Sequence, residues 1–200
     1  MKPLAIIFLL LVIISLPLFA DRILYAEGFY KLYHHHLIMY PDDSMEMIAY
    51  LEAALSTDFC NPLYAIARGI ENKKQWERYR YLFNMHVNLK LVELYLILGS
   101  KFDKQVAYFY NAPWKEDNLN SLEWAERIYQ KAFHYWKDAL GWAVKADRMV
   151  YYELKGIEYW EDQRFRVIEG ELDYRDIINH QIQRLSKVRE AFEAMDENTY

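Results

Sequence analysis

One cysteine, five prolines and six glycines, none of them adjacent, are all that 200 residues contain of these types, and each scarcity removes a class of protein. A lone Cys60 cannot close an intramolecular disulfide, so stability in any oxidising compartment must come from packing. With no second cysteine and no local motif beside it, Cys60 is expected to be a buried small hydrophobe rather than a nucleophile. Isolated glycines leave no loop that could cradle a phosphate. No segment alternates apolar and polar residues between hairpin turns, so strands are not expected. Cations are outnumbered, 24 Lys and Arg against 29 Asp and Glu. The resulting charge of −5 argues against nucleic acid, which is bound chiefly through basic contacts to phosphate. The one basic concentration, Lys73-Lys74 with Arg78-Tyr79-Arg80, has the look of a solvated helix start.

Chemistry is scarce as well. In His34-His35-His36 consecutive side chains on a helix point about 100° apart, so three imidazoles cannot converge on one ion. No histidine lies four residues from another outside that triplet, and no Glu-x-x-His occurs, which removes the zinc-protease and di-iron bundle patterns. Carboxylates such as Glu123/Glu126, Glu158/Glu161/Asp162 and Glu169/Glu171 have the spacing of solvated helix faces. No catalytic residue, cofactor site or metal ligand is assigned, and an enzyme with an unfamiliar carboxylate site ranks last among the readings.

What is present begins at the N-terminus. Leu4 to Ala20 is an uncharged run of 17 residues behind Lys2, followed by Asp21. A charged start, an apolar centre and a small residue before the break make the layout of a secretory signal. Leu18 sits where a small residue is preferred, so residues 1–20 are either a cleaved signal peptide or a retained anchor. A spanning helix needs roughly 20 apolar residues, and Ser15 and Pro17 weaken this run. Either way the chain is expected to be periplasmic or otherwise extracytoplasmic, with membrane association through residues 4–20 if they stay attached. Cleavage would take Lys2 with it and leave a charge of −6.

Residues 21–195 are expected to form a single all-helical domain, with 196–200 a frayed acidic tail. Ala26, Tyr30, Tyr33, Leu37 and Tyr40 share a helix face that ends at Pro41. Asp43 and Glu46 have capping-box spacing for a helix to about Leu55. Asn61-Pro62 starts a short turn closed by Gly69. Asn72 and Gln75 open a helix through Leu98 with Trp76, Tyr79, Phe83, Val87, Leu91, Leu94 and Leu98 on one face, and Gly99 is expected to stop it. A helix from Lys101 to Asn111 then precedes the break at Pro113 and a polar linker, Ala112 to Leu119.

The longest element is expected to start at Asn120 with Glu123 and to reach Val150. Ala125, Ala132, Ala139 and Ala146 recur every seven residues. With Tyr129 and Trp136 between them they make a coiled-coil-like packing seam. A second stripe, Trp124, Ile128, Tyr135, Trp142 and Met149, would place this helix in the middle of the bundle, with Gly141 marking a close helix contact. Lys155-Gly156 is a bend, Ile157 to Ile168 a helix stopped by Gly170, and Asp173 the cap of the last helix, whose face is Ile177, Ile178, Ile182, Leu185, Val188 and Phe192. The seam can be filled within the chain or by a second copy, so a homo-oligomer stays open.

Aromatics are in excess, with 18 Tyr and 6 Trp. Helical stripes of Tyr bury the ring and leave the hydroxyl at the wet edge, which favours packing for Tyr129 and Trp136. Trp114 lies outside every stripe and favours an interface, where Trp and Tyr are enriched. Trp114, Trp124, Trp142 and Tyr110 are the candidate interaction residues.

Two stretches are similar to tetratricopeptide helices: Tyr95-x-x-Leu98-Gly99-x-x-Phe102 to the first-helix signature and Ala125-x-x-x-Tyr129-x-x-Ala132 to the second. They lie too far apart for one repeat of about 34 residues. The runs Asn61-Pro62-Leu63-Tyr64-Ala65-Ile66-Ala67, Trp76 to Met85 and Tyr108-Phe109-Tyr110-Asn111-Ala112-Pro113-Trp114 resemble small periplasmic helical proteins of spirochaetes. That resemblance implies an all-α fold, a helical bundle or short stack of diverged tetratricopeptide-like hairpins, and a place in the collar around the periplasmic flagellar motor. The expected function is a non-enzymatic scaffold or adaptor for other envelope or motor proteins. The alternative is a periplasmic glycan- or small-solute-binding protein with an aromatic groove.

Overall fold

A computed structural model describes residues 23–196, 198 and 199. The export segment expected at Leu4–Ala20 lies outside them, as do Glu197 and Tyr200 of the expected tail. The fold is all-helical: α1 Ala26–Met39, α2 Ser44–Ser56, α3 Lys73–Phe102, α4 Lys115–Asp147, α5 Glu158–Ile168 and α6 Tyr174–Glu193, with 3-10 turns at Pro62–Tyr64 and Phe109–Trp114. Among the described residues the extended backbone makes one isolated antiparallel bridge, Arg68 with Lys155, and no named strand.

Local signals set most of the boundaries. Asn72 accepts from the Gln75 amide while the Gln75 side chain takes the Asn72 amide, a complete capping box that starts α3. Asp43 caps α2 through the Glu46 amide, and that hydrogen bond holds its carboxyl below the usual range. Asn61 caps the 3-10 turn at Pro62, and Asp173 caps α6. Gly69, Gly156 and Gly170 take positive φ, where a side chain would be strained.

Five boundaries and contacts differ from expectation. Gly99 does not end α3, which runs on to Phe102. Its missing side chain makes room for the Tyr129 ring: a Cβ there would lie 2.4 Å from Tyr129 Cε1. Residues 101–111 do not form a helix of their own: α3 ends at Phe102, 103–108 are non-helical, Asp103 is extended with its carboxylate held by Tyr129 and Arg184, and a 3-10 turn starts at Phe109. The expected linker up to Leu119 is helical from Lys115, just after Pro113, with Glu116 and Asp117 complementing the positive end of the helix dipole. At its other end α4 stops at Asp147, so Val150 leaves the seam and is exposed. Gly141 is also exposed, with open space where a Cβ would sit, so it marks no close contact.

The centre of the bundle is α3 rather than α4. Met85, His86, Val87, Asn88 and Leu89 are all buried, five consecutive positions that span every side of the helix. Helix α4 packs antiparallel along α3, with Tyr129 at Gly99 and Ala146 at Arg78. All six seam residues, Ala125, Tyr129, Ala132, Trp136, Ala139 and Ala146, are buried within the chain. Helix α2 lies antiparallel on another side of α3, with Ser44 near Lys101 and Glu52 at Tyr95. Helix α1 runs parallel to α3, Glu27 meeting Tyr79 and Tyr30 meeting His86. Helix α5 packs across α3 and α4, and α6 along α4. Met195 is buried, and Lys115 donates to the Glu193 and Met195 carbonyls, so the root of the C-terminal tail is tied down.

Gly99→Ala is expected to cost about 1–3 kcal/mol, because the Tyr129 ring cannot retreat while its hydroxyl is held by Asp103. The check is a urea unfolding curve, which should show a lowered midpoint with an unchanged slope.

Candidate interaction surface

The buried polar groups are structural. Tyr79 donates to Glu27 at 3.1 Å and the Cys60 amide donates to the same carboxylate at 2.9 Å. Gln163 Oε1 lies 2.5 Å from His86 Nδ1, which fixes the proton there, so Nε2 accepts from the Tyr30 hydroxyl at 2.7 Å. Burial pushes the His86 imidazole down to about 3 and, with Glu27 adding, the Cys60 thiol up to about 12. Glu27 and His86 are each 2% exposed, too enclosed to meet a solute. The histidine triplet diverges: His34 packs edge-on against Tyr30 while His36 reaches Asp43. Among the described residues no group of three or more His, Cys, Asp or Glu side chains could hold a metal ion.

The surface is more informative, above all where α3 hands over to α4. After Phe102 the chain crosses the end of the bundle and exposes Val106, Tyr108, Phe109, Tyr110 and Trp114, the last at 61%. The Tyr108 and Tyr110 rings stack at 5.2 Å and 14°, and Phe109 meets Tyr110 edge-on. Apolar side chains this exposed are ordinary singly but not as a contiguous group.

The loop is fixed at its base. Ser121 Oγ donates to the Phe102 carbonyl at 2.6 Å, Arg184 donates to the Lys104 carbonyl at 2.6 Å, and Asp103 joins Arg184 to the Tyr129 hydroxyl. Burial and the Asp103 carboxylate together push the Tyr129 phenol well above its ordinary range. A cleft of about 620 Å³ opens between this segment and α6, lined by Asp103, Tyr129, Gln181 and Arg184. The second Asp103 carboxylate oxygen has no hydrogen-bond partner.

A second feature runs between α2 and α4 over α3, a groove of about 480 Å³ with Met45, Ile48, Ile128 and Trp124 on its walls and Arg127 and Lys131 beside them. Tyr95 and Tyr135 stack at 5.4 Å and both donate to Glu52 at 2.7 Å. Farther along α4, Trp142 is covered by Tyr81 at 5.7 Å and by the Lys145 ammonium at 3.7 Å.

Of the four candidate interaction residues, Tyr110 and Trp114 therefore share one loop, Trp124 stands in the groove, and Trp142 is half-buried and occupied by its neighbours. Tyr108 and Phe109 are surface residues that the expected helix through Asn111 absorbs; the unbroken Tyr108-Phe109-Tyr110 run, three residues before Pro113, is the available signal.

Residues 74–195 match the model of a family described as a domain of unknown function, DUF8513. That span is more than half of the chain, contains the aromatic loop and nearly all of α3 through to α6, and leaves out α1 and α2. No curated protein and no solved structure matches the chain.

Proposed function

The chain belongs to the DUF8513 family, and from that premise we propose that it is a non-enzymatic, exported helical adaptor that holds other envelope proteins together, within a periplasmic flagellar-motor assembly. The observation that carries this reading is the aromatic loop Tyr108–Trp114, exposed at its tip and pinned at its base. A rigid aromatic patch is the surface on which association energy concentrates, because little ordering is required when a partner covers it. The loop also lies far from where the chain enters the fold. Helix α1 starts beside Tyr79, and Tyr79 to Phe102 along α3 is about 35 Å at 1.5 Å per residue. With residues 4–20 retained as an anchor, the loop would face away from the membrane. The assignment to a motor collar rests on the spirochaete resemblance of the Asn61, Trp76 and Tyr108 runs.

Trp114→Ala is expected to weaken partner association by about 30-fold, the effect of losing roughly 2 kcal/mol at an interface anchor, with helical content unchanged. Circular dichroism beside pull-down of the partner checks it; loss of helix on substitution would instead place Trp114 among the groups that hold the fold.

The second reading, glycan binding, draws on the stacked Tyr108 and Tyr110 beside a polar cleft of about 340 Å³ that includes Asp103, Asn111 and Asn118. Saturable quenching of tryptophan fluorescence by cell-wall fragments would favour it over the adaptor.

A further inference from the structure

The end of the bundle opposite the aromatic loop has a different character. It is built from residues 23–26, from segment 57–72 between α2 and α3 with the first turn of α3, and from segment 148–157 between α4 and α5. The pieces are tied together: the Ala26 amide donates to the Asp58 carbonyl, the Arg68 amide to the Lys155 carbonyl, the Ile66 amide to the Tyr79 hydroxyl, and Arg78 to the Ala146 carbonyl at the end of α4. From this platform Leu63 and Tyr64 stand 84% and 74% exposed, with Leu24, Tyr25, Val150 and Tyr151 also in the open.

Exposed cations gather there, Arg68, Lys73, Lys74, Arg148 and Lys155, and with Asp58, Glu71 and Glu153 in the linkers and Asp147 and Glu158 at the adjoining helix ends the face is neutral overall within a chain of net charge −5. A cleft of about 510 Å³ beneath Leu63 has Lys31 and Arg68 on its lining and no carboxylate. Ile23 lies at this same face, and the uncharged run Leu4–Ala20 precedes it in sequence with Asp21 and Arg22 between.

We infer that this face, centred on Leu63, Tyr64, Arg68, Lys73 and Lys74, lies on the surface of an anionic lipid bilayer. Exposed Tyr and Leu suit the interfacial zone, where an amphipathic ring has one end apolar and the other wet. Surface cations suit anionic headgroups, and the Lys31 and Arg68 cleft is disposed to receive a lipid phosphate. The apolar run alone would tether the domain without fixing its orientation; docking by the folded face sets the N-terminal end of α3 at the membrane and presents Tyr108–Trp114, at its far end, to partners. The proposal goes beyond the adaptor reading, since it concerns the opposite end of the molecule and a lipid rather than a protein.

The test uses the full chain reconstituted in vesicles of phosphatidylethanolamine and phosphatidylglycerol, with an environment-sensitive fluorophore placed at Tyr64→Cys or, separately, at Tyr110→Cys. Both positions are exposed, while native Cys60 is buried. Spin-labelled lipid should quench the probe at 64 and leave the probe at 110 unquenched. Quenching at 64 should fall with added salt and with phosphatidylcholine in place of phosphatidylglycerol, which separates docking of this face from insertion of the apolar run. Lys73→Glu with Lys74→Glu should shift the docking equilibrium at least about tenfold toward the undocked state. Absence of quenching at 64, equal quenching at both positions, or quenching at 64 that ignores salt and headgroup charge would each overturn the proposal. Protein partners captured from Trp114 are unaffected by any of these outcomes, so the two readings fail separately.

Discussion

Arg78→Met is expected to lower the unfolding free energy by about 3–5 kcal/mol, the scale of breaking a buried ion pair by removing one partner. Arg78 is 2% exposed, and its fork meets both Glu161 oxygens at 2.7 Å while Nη1 donates to the Ala146 carbonyl at 2.9 Å. The substitution would leave the Ala146 carbonyl in the last turn of α4 with the Met149 amide as its remaining donor and a half-enclosed carboxylate with Arg164 alone. Three helices depend on this one side chain, since it starts on α3, holds α5 through Glu161 and caps α4. Arg78→Lys keeps the charge but cannot reproduce the bidentate geometry, and should recover only part of the loss. Urea unfolding of both variants is the measurement; an Arg78→Met protein within about 1 kcal/mol of the parent would mean that the fork contributes no more than a surface ion pair.

The second large effect is on acid stability. His86 titrates near 3 in the fold against 6.5 in the unfolded chain, because burial opposes its charge and outweighs the help from Gln163. Between those values the unfolded chain takes up a proton that the folded one refuses, so stability is fully present above the unfolded value and falls as pH drops below it. The fall approaches 1.4 kcal/mol per pH unit, roughly 2 kcal/mol by about pH 5. His34, whose pKa is lowered by burial and by Lys90, adds in the same direction. Denaturant midpoints between neutral pH and about 5 check this, and His86→Phe should flatten most of the slope while lowering stability throughout, since Tyr30 and Gln163 lose their partner. A parent protein with no slope over that interval would contradict a neutral, buried His86.

Both effects come from groups whose burial was not legible in the sequence, and the reason is the same. An amphipathic reading finds one face of α3, the Tyr79, Phe83, Val87, Leu91 face, and gives the rest to solvent. It cannot anticipate that His86 and Asn88 are enclosed, because the group that satisfies His86 is Gln163 on α5, far away in sequence. Arg78 was placed in a solvated helix start for the same reason, its partner Glu161 being equally remote. What periodicity does carry is packing between like neighbours. The seven-residue recurrence of alanine on α4 identified the side that closes on α3, and the cap residues at Asn61, Asn72 and Asp173 located helix starts to within a residue or two.

The surface was legible in part. Trp114 stood out because no helical stripe claimed it, whereas Trp142 belonged to a stripe and is largely covered by Tyr81 and Lys145. Helix ends were harder. Gly99 has the usual residue type of a helix stop, but its role is to admit the Tyr129 ring, a tertiary contact that overrides the local preference. Asp103, two residues past the expected start of a helix, is extended because Tyr129 and Arg184 claim its carboxylate. A helix through Asn111 would leave no aromatic loop; the loop forms because the chain after Phe102 crosses the bundle end.

The most direct test of the adaptor account is photo-crosslinking in intact cells from a reactive amino acid placed at position 114, followed by isolation of the tagged chain and identification of what is attached. The account predicts covalent, stoichiometric recovery of envelope or motor proteins from position 114. Recovery of the chain alone, from cells in which it is folded and exported, would contradict it and turn attention to a glycan on the Tyr108 and Tyr110 rings.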